Sequence, residues 1–175
     1  MQMLDDPAFP SDARIYVGSY EDAVAGDQGS FFAIKTDSVG PGTYVDDWAP
    51  AALGTGDTDS YASFDDAQIY MGDSAGDFYC MVRTTGLAPA GWPAGGKQTL
   101  EAGQPIRSSP LIPVYGGGPI YVGNDNGKVF RVNRTTGAIE RTYRLGDGRK
   151  VRSLSIVDDL GAGKQYVVAV TSDGY

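Results

Sequence analysis

The side chains best suited to chemistry in this chain are a few carboxylates and one thiol. Asp57-Thr58-Asp59 opens like a calcium loop, D-x-D, in which carboxylates on alternate residues wrap one hard cation. The run continues Ser60-Tyr61, with neither a third carboxylate nor the following glycine, so a solvated acidic turn is expected. Asp158-Asp159 forms a second acidic pair, again without alternating carboxylates. Gly161-Ala162-Gly163-Lys164 has the sound of a phosphate loop. It lacks the glycine spacing, the Ser/Thr and the helix that such a loop needs, and reads as a hairpin connection. Cys80 stands inside the apolar run Phe78-Tyr79-Cys80-Met81-Val82, with no basic neighbour to favour a thiolate, and reads as packing. Asn133-Arg134-Thr135 matches the N-glycosylation sequon, which has meaning in a host that reads it.

What is missing excludes more than what is present suggests. The chain has no histidine, which removes every Ser-His and Cys-His nucleophile arrangement and the commonest general base. A single cysteine makes no intrachain disulfide, and zinc sites of Cys and His are excluded with it. No catalytic, cofactor-binding or metal residue is assigned on this basis, and no cofactor. A net charge of −8 argues against a phosphate-backbone partner, so nucleic acid is not expected. No apolar run is long enough to span a bilayer, and "MQMLDDPAFPSDAR" shows no signal peptide. The charge is uneven. Residues 1–82 hold 15 acidic and 2 basic side chains, a net of −13; residues 83–175 hold 7 and 12, a net of +5.

The elements that must position these residues repeat. "IYVGNDNGKVFRV" at Ile120 has relatives in "IYMGDSAGDFYCM" at Ile69 and "IYVGSYEDAVAGDQGSFFAI" at Ile15, and a weaker one in "VVAVTSDGY" at Val167. Gly18, Gly72 and Gly123 are equivalent, 54 and 51 residues apart, and the turn glycines Gly127 and Gly174 are 47 apart. Each copy alternates with period two, turns on Asn, Asp or Gly residues that tolerate positive φ, and returns as a second strand. A further strand is expected before each hairpin, in "SYASF", "IRSSPLIPV" and "VRSLSIV". Gly42, Gly86 and Gly137 follow the return strands, and six residues beyond each comes an aromatic, Trp48, Trp92 and Tyr143. Such residues suit units that bury one face against the next. No segment shows a helical period, and "GLAPAG" and "GWPAGGKQ" would break a helix.

"SSPLIPVYGGGPIYVGNDNGKVFRVNRTTG" resembles the repeat of PQQ-type, quinoprotein-like β-propellers: small-Ser-Pro, strand, Tyr-Val-Gly, Asn/Asp-Gly turn, strand, Thr-Gly, aromatic. "SLSIVDDLGAGKQYVVAVTSDGY" is similar to FG-GAP-like propeller repeats, in which the loop beside Asp158 and Asp159 can carry calcium. The resemblance implies an all-β propeller of four-stranded antiparallel blades, about three and a half of them. Residues 1–12 are then an N-terminal leader or extension, and 13–175 a single partial propeller domain. Cys80 and Arg131 stand where the family's repeat has a small alanine, which bears on how closely the blades pack. Dehydrogenases of the family hold a quinone with Ca²⁺, and many stack a vicinal disulfide on it, which one cysteine cannot form. The function expected is a non-catalytic scaffold or protein-interaction module of a larger extracellular, cell-surface or periplasmic protein. Two alternatives are a carbohydrate- or polymer-binding module and a fragment of a PQQ-dependent oxidoreductase. The partners expected are other blades of the same propeller or another protein chain, with glycan as the alternative. The uneven charge would let an acidic terminal blade meet a basic one head to tail.

Overall fold

The computed structural model describes residues 2–4, 14–18, 30–35, 45–46, 51–52, 56–58, 60–113, 117–146, 148–159 and 164–173. These form four antiparallel sheets in chain order, with one 3-10 turn at Ala94–Gly96. The first sheet orders β1 (Gln2–Leu4), β2 (Arg14–Gly18), β3 (Ser30–Lys35) and β4 (Val45–Asp46), and β5 (Ala51–Ala52) also pairs with β3. The second orders β6 (Ser63–Phe64), β7 (Gln68–Gly72), β8 (Asp77–Val82) and β9 (Lys97–Thr99). The third orders β10 (Ile120–Gly123), β11 (Lys128–Val132) and β12 (Ile139–Arg144), with Leu111 bridged to Tyr121 on the near side. The fourth is the pair β13 (Val151–Asp159) and β14 (Lys164–Thr171). The repeated hairpins of the sequence are β2–β3, β7–β8 and β10–β11, and the strands expected before them are β6, the Leu111 bridge and β13. Gln2–Leu4, inside the segment read as a leader, pairs with β2.

Alternation assigns the faces. Ile69, Met71, Tyr79 and Met81 cluster with Tyr16 and Ala33 of the first sheet. Tyr70, Phe78 and Cys80, one residue out of phase, cluster with Ile120, Val122, Phe130 and Val132 of the third. The core is therefore a set of seams between successive sheets.

The equivalent glycines make close approach possible at those seams. A Cβ on Gly72 would lie 2.1 Å from Ile106 Cγ2, one on Gly123 2.2 Å from Val151 Cγ1, and one on Gly18 2.0 Å from Thr58 Oγ1. Each glycine thus seats the first residue of the segment leading into the next sheet. Backbone bonds fix the seat: Ile106 N–H donates to Asp73 O at 2.9 Å and Val151 N–H to Asn124 O at 3.0 Å. Two residues after the seated one, Ser60 and Ser108 bond both backbone groups of Gly72 and Gly123 at 2.7–3.0 Å. In the fourth sheet, Ser153 faces Val170 in register, so a valine stands where the glycine would be.

The hairpin turns are held by one repeated device. Asp73 Oδ1 accepts from Ala75 and Asp77 N–H at 3.0 and 2.8 Å, and Asn124 Oδ1 accepts from Asn126 and Lys128 N–H at 3.1 and 3.0 Å. Gly76 and Gly127 follow at φ +89° and +68°, which only glycine adopts without strain.

The equally spaced aromatics are not structural equivalents. Tyr143 lies in β12 opposite Val129, a position matched in the second sheet by Gln98, opposite Phe78. Trp92 lies before β9, in a connection that runs from Leu87 to Gly96 and has no counterpart between Gly137 and Ile139. Trp48 lies outside the described residues. Of the two positions that depart from the repeat pattern, Cys80 is fully buried in the seam between the second and third sheets, and burial pushes its thiol pKa up. Arg131, at the equivalent place in the third sheet, is in register with Tyr121, and its Nε lies 2.9 Å from Glu140 Oε2.

Candidate functional site

Among the described residues, polar or aromatic side chains gather at several places, three of them as follows. The first is a network across three sheets at one end of the second. Asp65 accepts from the N–H groups of Ala67 and Gln68 at 2.8 Å through Oδ1. Its Oδ2 accepts from Tyr70 Oη and from Arg134 Nε, each at 2.9 Å, and pairs also with Arg134 Nη2. Burial raises the Asp65 pKa, and these hydrogen bonds more than reverse it, leaving the carboxyl below its ordinary range. Burial first, and then the Asp65 carboxylate beside it, pushes the Tyr70 phenol up. Arg83 donates to Asp65 O and Asp66 O and stacks over Phe64, its Nε 3.4 Å from Tyr16 Oη. Every group here is satisfied by another part of the fold, so the arrangement ties sheets together.

The second is a cleft of about 300 Å³ between the third and fourth sheets, lined by Tyr121, Val129, Tyr143, Tyr166, Val167 and Ala169 among others. Arg141 lies over the Tyr143 ring at 6.0 Å. At the preceding seam the matching space is filled by Phe78, Trp92, Phe130 and Val132.

The third is a charged cluster where the third and fourth sheets begin. Asp125, its side chain 6% exposed, pairs with Arg107, with Arg152 at 3.3 Å and with Lys150 at 3.8 Å. Arg149 pairs nearby with Asp173 at 3.3 Å.

The sequence candidates fall elsewhere. Asp57 uses its backbone, its N–H bonded to Ser74 Oγ at 2.9 Å and its carbonyl to Ser74 N–H at 2.9 Å. Asp59 lies outside the described residues. Asp158 is exposed and sits with Asp159 in the last two positions of β13, opposite Gln165 and Lys164. Lys164 opens β14, and residues 160–163 lie outside the described ones. No group of three or more Cys, Asp or Glu side chains converges among the described residues. With Cys80 single and sealed in a seam, the described donors do not fit a quinone held by calcium and capped by a disulfide. Asn133 of the sequon caps the Thr-Thr-Gly turn: its Oδ1 accepts from Thr135 and Thr136 N–H at 2.9 and 3.0 Å, and its Nδ2 donates to Glu140. The Asp125 cluster had a signal that motif reading passes over: Arg follows the seated residue in both "IRSS" and "VRSL".

The chain folds as a β-propeller. Its solved neighbours are propellers at low identity. BamB from Moraxella catarrhalis is 14% identical with a TM-score of 0.58, over 97% of this chain and 52% of that one. Sqt1 from Saccharomyces cerevisiae is 13% identical with a TM-score of 0.61, over 97% of this chain and 42% of that one. A europium-containing methanol dehydrogenase is 16% identical with a TM-score of 0.52, over 74% of this chain and 22% of that one. This chain thus spans about half the length of the BamB chain. No family model and no curated protein matches it. Among the described residues, three multi-stranded sheets and a two-stranded fourth correspond to about three and a half blades. No helix among the described residues is long and apolar enough to cross a membrane.

Proposed function

We propose that this chain is a non-catalytic propeller scaffold, a protein-interaction module of a larger periplasmic, cell-surface or extracellular protein. The outward face of the fourth sheet carries the proposal. Val157, Tyr166, Val168 and Val170 are there 41–51% exposed, side by side across the β13–β14 register. An apolar strip of this kind marks a contact surface. Among the described residues no strand pairs with the far edge of β14, and an open edge is a template for another strand. The partners are further blades or another protein chain. Sedimentation at rising concentration and salt tests this: association is expected, and Val168→Asp should abolish it. A compact monomer, unchanged by salt and by Val168→Asp, would overturn the reading for this chain alone.

A second reading is carbohydrate binding, favoured by the two tyrosines Tyr121 and Tyr143 that line the cleft from the third sheet. Aromatic faces stack on sugar rings, and a glycan array with Tyr143→Ala as the control tests it. No signal on the array ends that reading.

A further inference from the structure

We propose that the Arg107, Lys150 and Arg152 cluster is a binding site for a small oxyanion of the phosphate or dicarboxylate type. Three segments build it. Arg107 and Arg152 each follow a residue seated against a glycine of the preceding sheet, Ile106 and Val151, so their backbone positions are fixed by packing. Backbone bonds lock the rest: Asp125 N–H to Pro105 O at 2.9 Å, Val151 N–H to Asn124 O at 3.0 Å, and Ser172 N–H to Lys150 O at 2.8 Å. Onto this frame three cations converge on a single carboxylate, Asp125. That carboxylate is sealed, at 6% exposure, while the side chains of Arg107, Lys150 and Arg152 are 36, 48 and 40% exposed. Lys150 and Arg152 meet Asp125 only at 3.8 and 3.3 Å, so most of their donor capacity is turned to solvent. The Arg152 guanidinium and the Lys150 ammonium, drawn to one carboxylate and largely exposed beside it, present N–H groups that match the oxygens of a dianion, with the Arg107 charge adding to the local positive field. Asp125 holds the cations together and at the same time competes with the ligand.

The test is titration of the full chain with inorganic phosphate, and separately with malonate, followed by amide NMR shifts at constant ionic strength set with chloride. Saturable shifts at residues 105–107, 124–126 and 149–152 are expected. Which titrant saturates first distinguishes the phosphate from the dicarboxylate. Arg152→Gln and Lys150→Gln, both on exposed side chains, should weaken binding about tenfold each, and Asp125→Asn should strengthen it several-fold. The proposal is overturned if phosphate and malonate act no differently from chloride. It is equally overturned if binding is saturable but indifferent to Arg152→Gln and Lys150→Gln.

Discussion

Trp92 and Tyr143 occupy the same place in the sequence repeat and different places in the fold, so removing each ring separates the two descriptions. Trp92 is 8% exposed, with ring centroids 5.9 Å from Phe78 and 6.3 Å from Tyr70. A Cβ on Gly137 would lie 2.8 Å from its Cε3, and its Nε1–H donates to Arg134 O at 2.9 Å. It therefore joins the second sheet to the turn of the third. A buried indole of roughly 200 Å² at about 25 cal/mol per Å² sets an upper figure near 5 kcal/mol for the ring. The lost hydrogen bond adds about 1 kcal/mol, and measured truncations of this kind cost about 3–5 kcal/mol. Tyr143 is 37% exposed and lines an open cleft, so its truncation leaves no sealed cavity and should cost about 1 kcal/mol. Urea unfolding followed by far-ultraviolet circular dichroism measures both. Trp92→Ala should exceed Tyr143→Ala by at least about 2 kcal/mol, with Trp92→Phe between them. Equal costs, or a larger one at Tyr143, would refute the assignment of the seam and restore the simple repeat.

Three further outcomes follow from the seams and turns. Asp65 is held below its ordinary pKa of 3.8, so its contribution is present above that value and is lost as pH falls through the lower folded one. Asp65→Asn should flatten the loss of stability between about pH 5 and pH 2, and an unchanged slope in acid unfolding would contradict the network. Asp73 is the opposite case: burial raises its pKa, a contribution present below 3.8 and lost as pH rises through the folded value. Asn124 does the same turn work neutrally but has no counterpart of the Tyr79 hydroxyl that donates to Asp73 Oδ2 at 2.9 Å, so Asp73→Asn should cost about 1 kcal/mol for that one bond, while Asp73→Ala, orphaning all its donors, should cost about 2–3 kcal/mol; equal costs in chemical denaturation refute this. Gly72→Ala should cost about 1–3 kcal/mol or more by overpacking, and Ile106→Ala should not relieve it, because the new Cβ would still lie 2.5 Å from Ile106 Cβ; rescue in the double variant would count against the seat.

The hairpins were legible because their causes are local. Alternation in Ile120–Val122 and a turn at Gly127 need only neighbours in the chain, and the spacing of Gly18, Gly72 and Gly123 carried over from repeat to repeat. What each glycine is for was not legible, since the atom it admits belongs to a residue 28–40 positions on: Thr58, Ile106 or Val151. The aromatic spacing misled for a definable reason. The longer connection through Leu87–Gly96 shifts β9 relative to Gly86, so equal sequence distance ends in a loop at Trp92 and in a strand at Tyr143. The Asp65–Arg134 pair spans 69 residues and matches no motif, because its purpose is to satisfy a buried phenol at Tyr70. The Asp125 cluster lies between these cases. Its two arginines repeat with the seated residue, Ile106-Arg107 and Val151-Arg152, so the sequence shows that they are equivalent. Only the fold shows that both turn to one carboxylate.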